Sequence, residues 1–313
     1  MKISVKCNQE LAGFGTITLY KNYLKYFEEY DINQTYDIVF SIYDSCKNVK
    51  SKYKVLLCAD QNLKTYLNYT RKLKDEANLF THVILVRYIK EVYEQIKIDF
   101  PNCKIFSGNF ILFDFDNNYN NVDRNDDIIH IGRLCEFKNS IDLILNPEKY
   151  LTKRHIDCYG CNLLNETGLN EKGLKYNKYI SNYLINYDKS RKSMINLYDN
   201  YQNENLYKIT TNYKYCISFY DEKFLDNVEY AMLEMINSGC FIILNESYVK
   251  SFNEKSILNN IEEDMFICLH KNETIDDAIK KSKIKDIKSY KEKWKNLYDN
   301  KRIIDYLIKN IVE

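Results

Sequence analysis

The sequence predicts an α/β protein made of two Rossmann-like halves with a cleft between them. Three observations predict it. Short apolar, β-rich runs alternate with longer amphipathic stretches along the chain, as in a mostly parallel sheet covered on both faces. The alternation breaks once, at Asp114–Asp127, a stretch rich in Asn and Asp, and then restarts. The length of 313 residues corresponds to about two domains of ~150 residues.

Taken in order, Lys2–Cys7 reads as a strand and Gly13-Phe14-Gly15 as a turn. Thr16–Tyr30 reads as a helix because Ile17, Tyr20, Leu24 and Phe27 recur at helical spacing. Tyr36–Tyr43 and Tyr53–Cys58 follow as strands, the second almost wholly apolar, as a strand buried on both faces requires. Lys64–Asn78 has helical character, His82–Arg87 is another buried strand and Ile89–Ile98 another helix. Beyond the break come a strand at Ile128–Ile131, a helix around Ser140–Leu145 and a strand at His155–Tyr159. A long polar, Tyr- and Asn-rich helical region leads to a strand at Tyr215–Phe219, a helix at Asp226–Asn237 and a strand at Phe241–Leu244. The chain is helical from Ile275 onward. These elements divide into an N-terminal half at 1–120, a second half at 121–285 and a helical tail at 286–313.

Composition narrows the function classes. Lys and Arg number 45 against 44 Asp and Glu, a net charge of +1, so no global field draws the chain to phosphate or to a membrane surface. A nucleic-acid partner needs a local basic patch. The 29 Tyr and the excess of Asn, Lys and Ile read as the bias of an AT-rich genome. Ten Cys without regular spacing do not form the framework of a small secreted domain. With no apolar leader at Met1–Cys7 and no run of 18 apolar residues, the expectation is a monomeric protein of the reducing cytoplasm, without a membrane segment. Cys158-Tyr-Gly-Cys161 is a single CxxC, open to reading as half a zinc site or as a buried strand end.

Four segments carry candidate chemistry. Ile128–Ile131 runs into Gly132-Arg133 with Lys138 five residues on. Two cations beyond the carboxyl end of a strand can clamp a diphosphate, or can be an ordinary strand end before a charged helix. Glu229 and Glu234 lie on a helix stopped by Gly239. A carboxylate there can accept both hydroxyls of a ribose, or can be a solvated helix residue. Asp60 ends the apolar strand Lys54–Ala59 and is either a general base or the N-cap of the next helix. Behind it Lys64, Arg71, Lys72 and Lys74, with Arg87 and Lys90 further on, are interleaved with Tyr66 and Tyr69. They are either phosphate contacts to a duplex or one solvated helix face. Asp114-Phe-Asp116 matches a metal-binding DxD but borders the Asn-rich break, and reads as coincidence; no metal is expected. Gly13-Phe-Gly15 lacks the third glycine of a dinucleotide fingerprint and suits a loop approaching a phosphate.

In this order the second-half segments resemble the donor domain of GT-B glycosyltransferases. The resemblance implies that Arg133 and Lys138 hold the diphosphate of a nucleotide sugar, that Glu234 holds its ribose, and that Tyr159 and Gly160 lie near its base. Glu229 then orients the sugar. The usual EX7E pair would need Glu at 226, where this chain has Asp226. The five-residue spacing of Glu229 and Glu234, the Gly13/Gly15 loop and the strand ending in Asp60 are more similar to the DNA α-glucosyltransferase group of T-even phages, although Ala59 stands where that group has His. By resemblance the donor is a UDP-sugar, UDP-glucose first, used without a metal or other cofactor. The acceptor is 5-hydroxymethylcytosine in double-stranded DNA, held over Lys64, Arg71, Lys72 and Lys74, with Gly15 near the donor phosphate. Transfer retains the anomeric configuration. A GT-B enzyme acting on a glycan or lipid, and a GT-B-like binding protein without turnover, are the alternatives.

Overall fold

The computed structural model describes residues 1–60, 62–116, 123–132, 149–150, 153–159, 195–198, 203–218, 230–256, 258 and 260–313. Two six-stranded sheets, parallel throughout, organise them. The first contains β1 (Ile3–Cys7), β2 (Glu28–Glu29), β3 (Tyr36–Ile42), β4 (Ser51–Cys58), β5 (His82–Leu85) and β6 (Lys104–Ser107), in the order β2-β1-β3-β4-β5-β6. The second contains β7 (Asn125–Ile131), β8 (Ile156–Tyr159), β9 (Ile195–Tyr198), β10 (Tyr213–Ser218), β11 (Phe241–Asn245) and β12 (Ile267–Leu269), in the order β12-β11-β10-β7-β8-β9. The α/β architecture expected from the alternation is the one observed. The apolar runs explain it: Val55, Leu56 and Leu57 in β4, and Ile128 and Ile129 in β7, are fully buried, as strands covered on both faces must be.

Between the strands of the first half lie α1 (Phe14–Leu24), α2 (Leu63–Asn68), a 3-10 helix over Thr70–Leu79 and α3 (Lys90–Asp99). The helix expected over Thr16–Tyr30 ends at Leu24, and Glu28–Glu29 pairs with β1 instead. The helix expected over Lys64–Asn78 is two pieces, broken at Tyr69, whose φ and ψ of −120° and −74° leave the α-helical range. Asn62 caps α2 through a reciprocal pair with Thr65, which removes the N-cap alternative for Asp60.

Later helices are α4 (Asn203–Thr210), α5 (Tyr230–Asn237), α6 (Glu246–Lys255), α7 (Ile275–Lys280), α8 (Ile287–Leu297) and α9 (Asn300–Val312). α8 packs on the second half: Trp294 donates to Met265 O at 2.8 Å, and the Tyr290 hydroxyl joins Cys240 O and Ile242 N at 3.0 and 2.9 Å. α9 returns to the first, where Tyr306 stacks on Phe110 and the Tyr53 hydroxyl donates to Val312 O. One apolar cluster runs through both halves, from Val5, Phe40 and Ile84 to Ile129, Met232 and Trp294.

The Asp114-Phe-Asp116 motif is consumed by this packing. Asp114 accepts from Lys25, Tyr26 and Asn300. Asp116 pairs with Lys291, a lysine only 2% exposed, and with Asn237. Both carboxylates fasten the crossing segment to helices on either side. Asn125–Asp127, expected as the end of a linker, belong to β7. Cys158 is a buried strand residue of β8, and Cys161 lies outside the described residues. Among the described residues no helix is long and apolar enough to cross a membrane, and no group of three His, Cys, Asp or Glu could hold a metal ion.

Candidate functional site

Residues just beyond the carboxyl ends of β4 and β5 meet the start of α1 and Tyr230 of the second half at one place, and ligands of open parallel sheets bind beyond such strand ends. On the first side, β1 leads to α1, whose N-cap Gly13 offers no side chain and whose first turn holds no acid. A side-chain carbon added at Gly15 would meet open space within 4 Å. A narrow recess of about 20 Å3, room for about one water, opens there, lined by Gly15, Thr16, Ala59, Arg87, Ile111 and Tyr230. Tyr230 starts α5 of the second half, so the recess is built by both halves.

Asp60 lies behind this wall. It is 3% exposed and accepts from Tyr43 at 3.1 Å, from Cys58 Sγ at 3.2 Å and from the Thr70 hydroxyl. Burial raises its pKa above the usual carboxylate value, and the three donors pull it back. Its neighbour Ala59 is the residue that reaches the recess.

On the second side, β7 ends at Gly132, whose φ of 145° suits only glycine. Gly132 N donates to Tyr159 O at 3.1 Å, binding the ends of β7 and β8 together. Tyr159 lies parallel to Tyr198 of β9, ring centroids 4.5 Å apart. Tyr198 is 41% exposed and had no motif to single it out, because β9 sits in the Tyr- and Asn-rich region read as helical. Beneath this pair Asp157 accepts from Asn196 and Tyr213.

Glu234 is half-buried on α5, and burial pushes its pKa up to about 7. Among the described residues its carboxylate has no hydrogen-bond or ion-pair partner, while its backbone carbonyl accepts from Ser238. A desolvated carboxylate without a donor costs stability and is satisfied by a ligand that supplies hydroxyls. Arg133, Lys138, Gly160 and Glu229 lie outside the described residues.

The basic run divides. Lys64, Lys72 and Lys74 are exposed on α2 and the 3-10 helix, and Lys90 is exposed at the start of α3. Arg71 is engaged with Asp99 at 3.3 Å, and the Tyr66 hydroxyl is bound to the same carboxylate. Arg87 turns to the recess.

No protein-family model matches the chain, and no curated protein sequence matches it. Solved structures do. A structure of alpha-glucosyltransferase (AGT) in complex with UDP aligns over 100% of both chains, with a TM-score of 0.69 and 14% identity. Alpha-glucosyltransferase in complex with UDP-glucose and DNA containing an abasic site aligns over 96% of this chain and 84% of that one, TM-score 0.59, 13% identity. A trehalose-6-phosphate synthase structure aligns over 89% and 74%, TM-score 0.54, 8% identity. The fold of this chain is the GT-B fold.

Proposed function

From this fold we propose that the chain is a retaining glycosyltransferase that takes a UDP-sugar in its second half, 121–285, and an acceptor over its first, 1–120. The tail from 286 braces the two. The observation that carries the reading is Glu234, a carboxylate raised to about 7 by burial and without a partner among the described residues. It stands on the helix between β10 and β11, where the two hydroxyls of a ribose would satisfy it. The full-length likeness to a UDP-bound alpha-glucosyltransferase supports the donor.

The roles follow from chemistry. Arg133 and Lys138 would neutralise the diphosphate as the bond from the anomeric carbon to the phosphate oxygen breaks. Glu229 would orient the sugar, and Gly160 and the Tyr159 ring would border the base. The acceptor hydroxyl forms the new bond and loses its proton. Asp60, enclosed by three donors, is assigned to fixing the end of β4. The proton then passes to the departing phosphate oxygen, on the same face as the attack.

For the acceptor we propose the hydroxymethyl group of 5-hydroxymethylcytosine in duplex DNA, with Lys64, Lys72 and Lys74 on phosphates. Arg71, held by Asp99, would serve that face indirectly. Incubation with radiolabelled UDP-glucose and hydroxymethylated duplex should label the DNA, and unmodified duplex should stay unlabelled. Donor hydrolysis without labelled DNA removes the DNA acceptor and favours a glycan or lipid acceptor, to which the commitment of Arg71 already lends weight. A donor neither bound nor hydrolysed removes the transferase reading.

A further inference from the structure

A groove opens at the far edge of the second sheet, where β12 is the outermost strand. Phe266, Cys268 and His270 alternate along β12 and so share one face, which is the floor of the groove. Glu246, Val249, Lys250 and Asn253 recur at helical spacing on α6 and form one wall. The chain leaving α7, from Ala278 to Lys283, supplies the other. Both ends are fastened. The Asn253 side chain accepts from Ile261 N at 2.7 Å and donates to Ile261 O at 3.0 Å, and Glu246 meets His270 Nδ1 at 2.9 Å. The groove encloses about 520 Å3, within the ~300 to 1,000 Å3 of small-ligand pockets.

Its interior is apolar and its rim is charged. Val249, Ile261, Phe266 and Ala278 surround Cys268, whose thiol burial pushes up to about 11, so the floor carries no charge. At the rim the charges largely answer one another. Glu246 is held by His270, Glu263 by Lys283, and Lys281 by Glu273 at 2.6 Å. Lys250 is exposed and makes no hydrogen bond or ion pair among the described residues. Both carboxylates of the lining are therefore neutralised, and one cation is left over.

We infer that this groove binds a small amphipathic anion, a medium-length alkyl carboxylate whose chain lies on Phe266, Cys268 and Ala278 and whose head meets Lys250. An alkyl chain removes the apolar floor from water, and the carboxylate supplies the one charge that the rim lacks. A cationic head would find both glutamates already engaged, and a neutral head would leave Lys250 as it was. The site stands apart from the donor reading, because β11 and β10 separate β12 from β7 and no residue assigned to the nucleotide sugar lines the groove.

The test is calorimetric titration of the full chain with decanoate, decanol and hexanoate, together with iodoacetamide alkylation mapped to Cys268 by mass spectrometry. Decanoate at about ten times its Kd should slow alkylation of Cys268 by about 10-fold, as occupancy dictates. Hexanoate, four methylenes shorter, should bind about 30- to 200-fold more weakly. Lys250→Met keeps the apolar stem and removes the charge. It should weaken decanoate by about 3- to 10-fold and leave decanol within about 2-fold. Cys268→Phe fills the floor and should abolish binding of both, in a chain whose thermal unfolding shows that it is folded. Saturating UDP should leave decanoate binding unchanged. Cys268 alkylation that decanoate does not slow, equal losses of decanoate and decanol in Lys250→Met, or decanoate binding that survives Cys268→Phe each overturns the site. Competition between UDP and decanoate would place the anion at the donor site and overturn the groove while leaving the donor reading intact.

Discussion

Glu234 titrates where cells live, and its behaviour can be worked out with its sign. Its folded pKa of about 7 lies above the ordinary value of 4.5, so between those limits the native state holds more protons than the unfolded chain. Stability therefore falls as pH rises from about 4.5 to about 7. Donor affinity should move the opposite way, because ribose hydroxyls need an ionised acceptor. UDP should bind more tightly at pH 8 than at pH 6, and Glu234→Gln should flatten that dependence while losing the tight binding; a pH series of dissociation constants checks both. At Asp60 the expectation concerns stability. Asp60→Asn would turn an amide toward three donor groups, and chemical denaturation should show a loss of about 1 to 3 kcal/mol. Gly239 has φ +92°, with the Arg124 guanidinium 2.7 Å from where a side-chain carbon would sit. Arg124 binds Ser238 O and Tyr213 O, so Gly239→Ala should cost about 1 to 3 kcal/mol through strain and displacement of that arginine. As sequence, Gly239 was legible as a helix stop and Glu234 as a ribose candidate, because glycine and carboxylate chemistry depend on local position. Tyr230 and Arg87 were not legible as partners: nothing in residues 87 and 230 taken singly says that the seam brings them to one recess.

At the scale of elements, the strongly apolar strands were readable and the marginal ones were not. β4, β5 and β11 carry their own signal in unbroken apolar runs, and β7 in Ile128, Ile129 and Ile131 around His130. β12 is three residues long and β2 two, too short for any period. β9 lies in a stretch whose Tyr and Asn content obscures alternation, and it is a strand because β8 pairs with it from Ile156 to Tyr159. The split of Lys64–Asn78 lies at Tyr69, whose backbone leaves the helical range while Tyr66 and Thr70 on either side of it stay fully buried; no local sequence signal marks that position. The cap is local, so its effect should be too. Asn62→Ala should destabilise the chain by about 1 kcal/mol, with amide exchange accelerated over Leu63–Asn68 and unchanged in β7.

For the whole molecule, the decisive contacts join distant parts of the chain. Asp116 and Lys291 are joined across 175 residues at 2.9 Å, at a point where the crossing segment, α5 and α8 meet. Asp116→Ala leaves a buried ammonium with one partner fewer and should cost about 2 kcal/mol in thermal or denaturant unfolding, with Lys291→Met far milder. Phe110 is fully buried and is stacked by Tyr306, while Asn109 donates to Tyr298 at 2.7 Å. These contacts give the return of α9 a consequence for biogenesis. The ribosome releases β1 to β6 long before it releases the helix that covers Phe110 and reaches Tyr53. Until residues 298–312 emerge, the first sheet carries an uncovered aromatic surface, and the last step of folding closes loops of 187 to 259 residues. Such late, long-range closure is slow and leaves a nascent chain open to aggregation and chaperone capture.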